Sequence, residues 1–227
     1  MFWIIVGFFF LLSLIVSQTL KSRFRRYSQV GLRANMTGRE IALQMLADHG
    51  IYDVDVMCVE GQLTDHYNPS NRTVNLSPDV YYGNSAAAAA VAAHECGHAV
   101  QHATAYSMLE FRSAMVPLQN ISASVMNFIF IASLFGFAYN LFSASTILLT
   151  IIACYGVITL FSFITLPVEF DASRRALAWI EARGIASPQE YGMASDALRW
   201  AAMTYVVAAL GSLAMLLYYV SIFMGRD

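Results

Sequence analysis

The chain has 227 residues, of which 58% are hydrophobic and only 12% are charged, and its mean hydropathy is +0.54. Soluble domains carry about 25% charged residues, so this composition excludes an ordinary soluble domain and indicates a membrane protein. The net charge of −2 comes without a dense basic patch, which excludes nucleic acid as a partner. Three scattered cysteines are too few for a disulfide framework or a zinc knuckle.

The first element is an apolar run at residues 2–20, within a predicted anchor at 1–20, that is just long enough to cross a bilayer. No Lys or Arg precedes it, whereas four basic residues follow at once: Lys21, Arg23, Arg25 and Arg26. A cleavable signal peptide carries its positive charge before the apolar run, so an uncleaved transmembrane anchor is predicted. The positive-inside rule then places residue 21 onward in the cytoplasm.

Residues 21–120 form the first stretch that can fold in water. A capping-box pattern at residues 37–40 predicts a short helix. Apolar segments bounded by turn residues then predict three strands of a small antiparallel sheet, at residues 54–61, 62–68 and 72–77. Pro78 suits the first turn of another short helix. This stretch is therefore expected to be a small α+β domain.

The next helix, predicted over residues 85–106, carries the sequence HECGH at residues 94–98. Four residues along a helix is about 400° of rotation and roughly 6 Å of rise, so His94 and His98 project from one face. Two imidazoles so placed can bind one zinc ion, and Glu95, about 100° further round, can take a proton from a water bound there. This is the core of a zinc peptidase without its third ligand.

An accidental HExxH is the alternative interpretation of these residues. It would leave the two histidines and the glutamate on an alanine-rich helix with polar partners and no metal. A chance match in a chain of this composition has a probability of roughly one in 300, so the metal-site interpretation is preferred.

Beyond the motif helix, residues 121–166 contain two charge-free apolar stretches that are each long enough to span a bilayer. They predict a transmembrane hairpin, with spans at residues 121–142 and 145–166, that ends at Pro167. A further apolar stretch within residues 203–227 predicts a fourth span at the C-terminal end. The fold class is therefore a mainly α multi-pass membrane protein with a small α+β domain.

Four spans that start outside place residues 21–120 and 167–202 on the same side of the membrane. All but one of the 13 Lys and Arg residues lie in these two stretches, as the positive-inside rule requires of cytoplasmic segments. The predicted protein is integral to the plasma or inner membrane, and the second polar stretch can supply a ligand to the HECGH helix.

The third zinc ligand is expected outside the HECGH helix. Gln101 and Thr104 stand where the extended metzincin motif has Gly and His, so that class is excluded. His102 is a poor ligand, because two helical turns span about 12 Å whereas zinc–ligand bonds are near 2 Å. We interpret His102 as a residue that supports the site or lies on the surface.

Glu169 is the better candidate, because a carboxylate close to the hydrocarbon boundary is costly unless it is paired or bound to a metal. It directly follows the predicted hairpin, at the start of a charged helix. Alternatively, it interacts with the helix dipole or pairs with Arg174 or Arg175. Asp171 has the same options, and beside a ligand Glu169 it could accept a hydrogen bond from a histidine N–H.

The chain resembles the YugP-like family of membrane-bound neutral zinc metallopeptidases over essentially its whole length. Three segments carry the resemblance, namely DHYNPSNRTVNLSPDVY at 65–81, AAHECGHAVQH at 92–102 and LPVEFDASRRA at 166–176. More distantly, the layout is similar to the HtpX and CAAX prenyl protease families. The resemblance implies a zincin-like domain with a gluzincin-like ligand set.

On that resemblance, His94 and His98 would bind one Zn²⁺, with Glu169 as the third ligand and Glu95 as the catalytic base. The distant relatives carry an acidic residue four positions after the ligand glutamate, where this chain has Ser173. The expected function is an endopeptidase at the cytoplasmic membrane face that cleaves peptides or membrane proteins. A non-catalytic metal-binding scaffold and a site-2-type intramembrane protease are the alternatives.

Peptide hydrolysis also needs a hydrogen-bond donor for the tetrahedral oxyanion, and His66, Tyr67 or Tyr81 could supply it. The strand at residues 72–76 could be the edge along which an extended peptide pairs, or an ordinary strand of the sheet.

Overall fold

The computed structural model describes residues 1–136 and 142–225, and the protein is mainly α in these ranges. The helices are α1 (Phe2–Tyr27), α2 (Gly38–Asp48), α3 (Pro78–Tyr81), α4 (Ala86–Ala103), α5 (Ser107–Leu134), α6 (Ala144–Ala182) and α7 (Pro188–Met224). The strands are β1 (Asp55–Cys58), β2 (His66–Asn68) and β3 (Thr73–Leu76). Each predicted strand is present, although shorter than the apolar pattern indicated.

Four helices, α1, α5, α6 and α7, are long and apolar enough to cross a membrane. This confirms the predicted fold class of a multi-pass membrane protein with a small sheet-containing part. Residues 137–141 of the predicted hairpin, together with residues 226 and 227 of the C-terminal segment, lie outside the described ranges.

Helix α6 continues through Pro167, so the helix itself does not end at the residue where the hairpin was predicted to end. Proline removes one backbone N–H and its ring crowds the carbonyl four residues earlier, which often ends or kinks a helix. Long apolar helices tolerate proline where neighbouring groups compensate for the freed carbonyl. Glu169 therefore lies in the interior of α6, and the alternative in which it interacts with a helix N-terminus does not apply.

The chain divides into two compact units. The first comprises Met1–Leu14, Phe111–Leu166 and Tyr205–Asp227, and its described residues are mostly in apolar helical segments. The second comprises Ile15–Glu110 and Pro167–Thr204, and contains the sheet and the HECGH helix. All the candidate site residues belong to the second unit.

The alanine-rich half of α4 lies at the centre of the second unit. Residues 86–90, 92 and 93 are fully buried alanines, and small side chains let neighbouring elements approach the helix closely. Ile41 and Met45 of α2 and Val74 of β3 belong to the same core. Ser85 caps α4 by accepting a hydrogen bond from the backbone of Ala88.

The sheet is mixed, with strand order β1-β3-β2, so the predicted all-antiparallel sheet is wrong. β2 and β3 pair antiparallel across a tight turn, whereas β1 pairs parallel to β3. The reason is that the loop from β1 crosses to the far side of β3 instead of forming a hairpin. β3 is therefore the central strand, so the prediction that residues 72–76 form an edge of the sheet is also wrong. β2 is one of the two outer strands.

Candidate metal centre

His94 and His98 of α4 meet Glu169 of α6, and their potential ligand atoms all lie within 4.8 Å of one another. The distance from Glu169 Oε2 is 3.4 Å to His94 Nε2 and 3.6 Å to His98 Nε2. Two ligands about 2.1 Å from a tetrahedral ion lie about 3.4 Å apart, so the observed separations fit a zinc ion between them. The donor set, two imidazoles and a carboxylate, is also one that zinc prefers.

The other ring nitrogen of each histidine has its own partner. His94 Nδ1 lies 3.1 Å from Ser173 Oγ, and His98 Nδ1 lies 3.0 Å from Gln101 Oε1. Such contacts fix the orientation of each ring and leave Nε2 available to a metal. Ser173 occupies the position at which the distant relatives have an acidic residue, and its hydroxyl contacts a histidine in that place.

Gln101 connects the two helices that carry the candidate ligands. Its side chain is fully buried, and its Nε2 donates to the Val168 carbonyl at 2.8 Å and to Asp171 Oδ2 at 2.9 Å. Because both donors of the amide face oxygens, Oε1 must point to His98 and accept its Nδ1–H. Asp171 therefore makes no direct hydrogen bond to His98. The two residues are connected through hydrogen bonds to the Gln101 side chain.

Gln101 was not predicted from the sequence as a residue of the site. A signal was nevertheless present, because Gln101 lies three residues after His98 and so on the same face of α4. A buried glutamine beside a ligand histidine is a natural hydrogen-bond partner for it.

The surroundings of Glu169 favour a bound cation. The carboxylate is only 3% exposed, and the two nearby arginines, Arg174 and Arg175, pair with Asp171 instead. Burial alone would lower the pKa of His98, but the hydrogen bond to Glu169 and its negative charge raise that pKa above its ordinary value. A buried carboxylate is costly without a positive partner, and a divalent ion between these three side chains would supply one.

Glu95 is held by the sheet rather than by the candidate metal ligands. Its carboxylate is largely buried, and Oε2 accepts a hydrogen bond of 3.0 Å from the backbone N–H of Tyr67 in β2. Oε1 has no hydrogen-bond partner within residues 1–136 and 142–225. One oxygen therefore fixes the orientation of the carboxylate, and the other can accept a proton.

Among the predicted oxyanion donors, Tyr67 has a side chain that is hydrogen-bonded to the HECGH helix. Its hydroxyl lies 2.7 Å from His102 Nδ1. His102 is on the same helix as His94, about two turns further along, and holds this tyrosine in place. His66 is exposed and its Nδ1 contacts the Thr64 carbonyl at 2.7 Å. Tyr81 packs against the core of the second unit.

Gly97, inside the motif, allows α4 and α6 to touch. A Cβ at this position would lie 2.6 Å from the Ala172 carbonyl oxygen, which is backbone and cannot rotate away. We expect Gly97→Ala to push α6 aside, to lower zinc occupancy and to destabilise the protein by about 1–3 kcal/mol. Zinc content and thermal unfolding in detergent measure both effects.

Gly192 of α7 supplies the matched control, since a Cβ there would meet no atom within 4 Å. Gly192→Ala should keep full zinc occupancy and gain up to about 1 kcal/mol of stability from its higher helix propensity. Equal zinc occupancy in the two variants would show that the close approach at Gly97 is not required.

Comparison with known proteins agrees with this arrangement. The family described as "Putative neutral zinc metallopeptidase" matches residues 2–224. The chain is 42% identical over 209 residues to the "Putative membrane protease YugP" of Bacillus subtilis (strain 168), covering 92% of this chain and 90% of that protein. No solved structure matches. Because the family match extends over nearly the whole sequence, the chain belongs to the neutral zinc metallopeptidase family.

Proposed function

We propose that this protein is a membrane-bound zinc endopeptidase, with His94, His98 and Glu169 as the ligands of one zinc ion and Glu95 as the catalytic base. The separations of 3.4 and 3.6 Å between the two Nε2 atoms and Glu169 Oε2 carry the proposal, because they match a tetrahedral ion. The family supports both the metal and the reaction class.

Zinc bound at these residues would supply a water with a pKa near 7 and would polarise the peptide carbonyl. Glu95 takes the proton of the attacking water on Oε1 and later passes it to the leaving nitrogen of the peptide. The Tyr67 N–H keeps Oε2 in place during both transfers. Ser173 and Gln101 hold the two histidine rings so that Nε2 of each faces Glu169.

The substrate is proposed to be a peptide or a segment of a membrane protein that binds in extended form. β2 is an outer strand of the sheet, and its central residue contacts Glu95. An extended peptide pairing with this strand would lie beside the catalytic carboxylate, which is the usual geometry of strand addition.

No observation favours the two alternative functions. An intramembrane protease of the site-2 type has its HExxH in a spanning helix, but α4 is not one of the four candidate spans in the described chain. A metal-binding scaffold would need the three ligands but not a buried glutamate oriented by a backbone N–H. The position of Glu95 therefore supports catalysis over mere metal binding.

Removal of the metal tests the proposed reaction. We expect the purified full chain to contain about one zinc ion per molecule and to cleave casein. A zinc chelator should abolish cleavage, and added zinc should restore it, because the attacking water depends on the ion. Unchanged cleavage by protein with no bound metal would contradict the proposal.

We also propose that the site faces the cytoplasm, as the basic residues after α1 indicate. Cys58 is exposed on β1, whereas Cys96 and Cys154 are buried, and burial raises the pKa of the Cys96 thiol. A membrane-impermeant maleimide should therefore label Cys58 only after the cell membrane is permeabilised. Cys58→Ser should remove this labelling. Labelling of Cys58 in intact cells would show that the site faces the outside of the cell.

A further inference from the structure

A cavity of about 670 Å³ lies beside the end of α1, where the apolar run of this helix stops. Its walls come from α1, from the loop before β2 and from the segment that leads into α4. Most of the residues that line the cavity have polar or charged side chains, unlike those around a gap between apolar core elements. Residues from all three walls include Lys21, Arg25, Gln29, Gln62, Asp79 and Ser85.

The charge of this cavity is positive. Lys21 and Arg25 are exposed, and neither makes an ion pair within the part of the chain that the structure describes. Arg23, on the same helical segment, instead pairs with Asp196 at 3.2 Å. Asp79 is the only acidic side chain among the described residues that line the cavity, so two positive charges face a single negative charge. The cavity therefore favours an anion.

Hydrogen-bond donors accompany the two cations. Gln29 and Gln62 contribute side-chain amides, and the Ser85 hydroxyl accepts from the Ala88 backbone while its own hydrogen stays available. Lys, amide and hydroxyl donors around a common space suit the several oxygens of a phosphate group better than a single chloride ion.

The position of the cavity beside a candidate membrane span favours a phospholipid as the source of that phosphate. Lys21 directly follows the apolar residues 2–20 of a candidate membrane span. A cation at this point lies at the boundary between hydrocarbon and water, which is the depth of phospholipid headgroups. Free phosphate has no such preference for the membrane surface.

We propose that this cavity binds the headgroup phosphate of an anionic phospholipid. The proposal is independent of the peptidase activity and uses none of its residues. Ser85 lines the cavity and also caps α4, so a bound headgroup connects the membrane surface to the N-terminal end of the HECGH helix.

The test measures binding of short-chain phosphatidylglycerol, below its micellar concentration, to the purified full chain in a neutral detergent. Calorimetry gives the affinity, and the midpoint of thermal unfolding gives a second readout. Phosphatidylcholine of the same chain length and inorganic phosphate are the comparison ligands. We expect binding and a raised midpoint with phosphatidylglycerol and much weaker effects with the other two.

Substitutions locate the site. Lys21→Gln and Arg25→Gln should each weaken phosphatidylglycerol binding about fivefold, as expected for one basic residue at a membrane surface. Asp79→Asn should strengthen it, since it removes the opposing charge. Arg26→Gln is the matched control, because Arg26 is exposed on the same helix but does not line the cavity.

Three results would overturn the proposal. Equal weakening by Arg26→Gln and Arg25→Gln would indicate diffuse attraction to the basic segment. Inorganic phosphate binding as tightly as phosphatidylglycerol would assign the cavity to a free anion, and failure of phosphatidylglycerol to bind would remove the site altogether. Zinc content and casein cleavage, measured on the same samples, show whether the peptidase proposal stands regardless of these results.

Discussion

Replacing Glu95 with glutamine should abolish peptide hydrolysis while leaving the bound zinc in place. The amide oxygen of glutamine can still accept the hydrogen bond from the Tyr67 N–H, so the local structure is kept. An amide is not a base at neutral pH, however, so it cannot take a proton from water. We expect casein cleavage to fall by about 10²–10⁴-fold, the range of general acid–base catalysis.

Zinc content must be measured on the same Glu95→Gln sample, because loss of activity with loss of metal would have a different cause. Glu110→Gln is a suitable control, since Glu110 is exposed at the start of α5 and should leave cleavage unchanged. Cleavage at the wild-type rate by a zinc-loaded Glu95→Gln variant would show that another group is the base.

Substitution of Glu169 should remove the metal itself. Glu169→Gln keeps the shape of the side chain but removes its charge, and His98→Ala removes one of the two imidazoles. Each change deletes a ligand, so zinc affinity should fall by more than the roughly 10–100-fold that loss of an outer hydrogen-bond partner costs. Competition with a chromogenic chelator measures this affinity without any need for enzymatic activity.

A control on the same helix separates metal loss from misfolding. Glu181 lies twelve residues further along α6 and is exposed, so Glu181→Gln should bind zinc as the natural chain does. Circular dichroism should show the same helix content for the Glu169 and Glu181 variants. Full zinc affinity in the Glu169→Gln protein would place the third ligand elsewhere.

The spacing of the HECGH motif predicted the relation of His94 to His98, because this relation depends only on helical geometry. Glu169 emerged from the sequence for a different reason, namely that an acidic group beside an apolar span needs a positive partner. The sequence did not predict that Glu169 would lie in the interior of a helix. The compensation that lets α6 pass through Pro167 depends on neighbouring groups, which a local sequence pattern does not specify.

Contacts between helices distant in sequence were harder to anticipate. The Gly97 contact and the Gln101 bridge depend on which face of α6 meets α4, and residue spacing along either helix does not determine this. The sheet shows a similar limit. Turn residues predicted the pairing of β2 with β3, but nothing local to β1 indicated that it would pair in parallel on the other side of β3.

The order of the proposed ligands along the chain has a consequence for biogenesis. Between His98 and Glu169 lie all of α5 and the apolar first part of α6, so a ribosome has synthesised both segments before it reaches Glu169. A nascent chain that stops earlier has two histidines and no carboxylate to complete the set. On the proposed ligand set, a complete zinc site, and any cleavage that depends on it, therefore requires the membrane segments to have been made first.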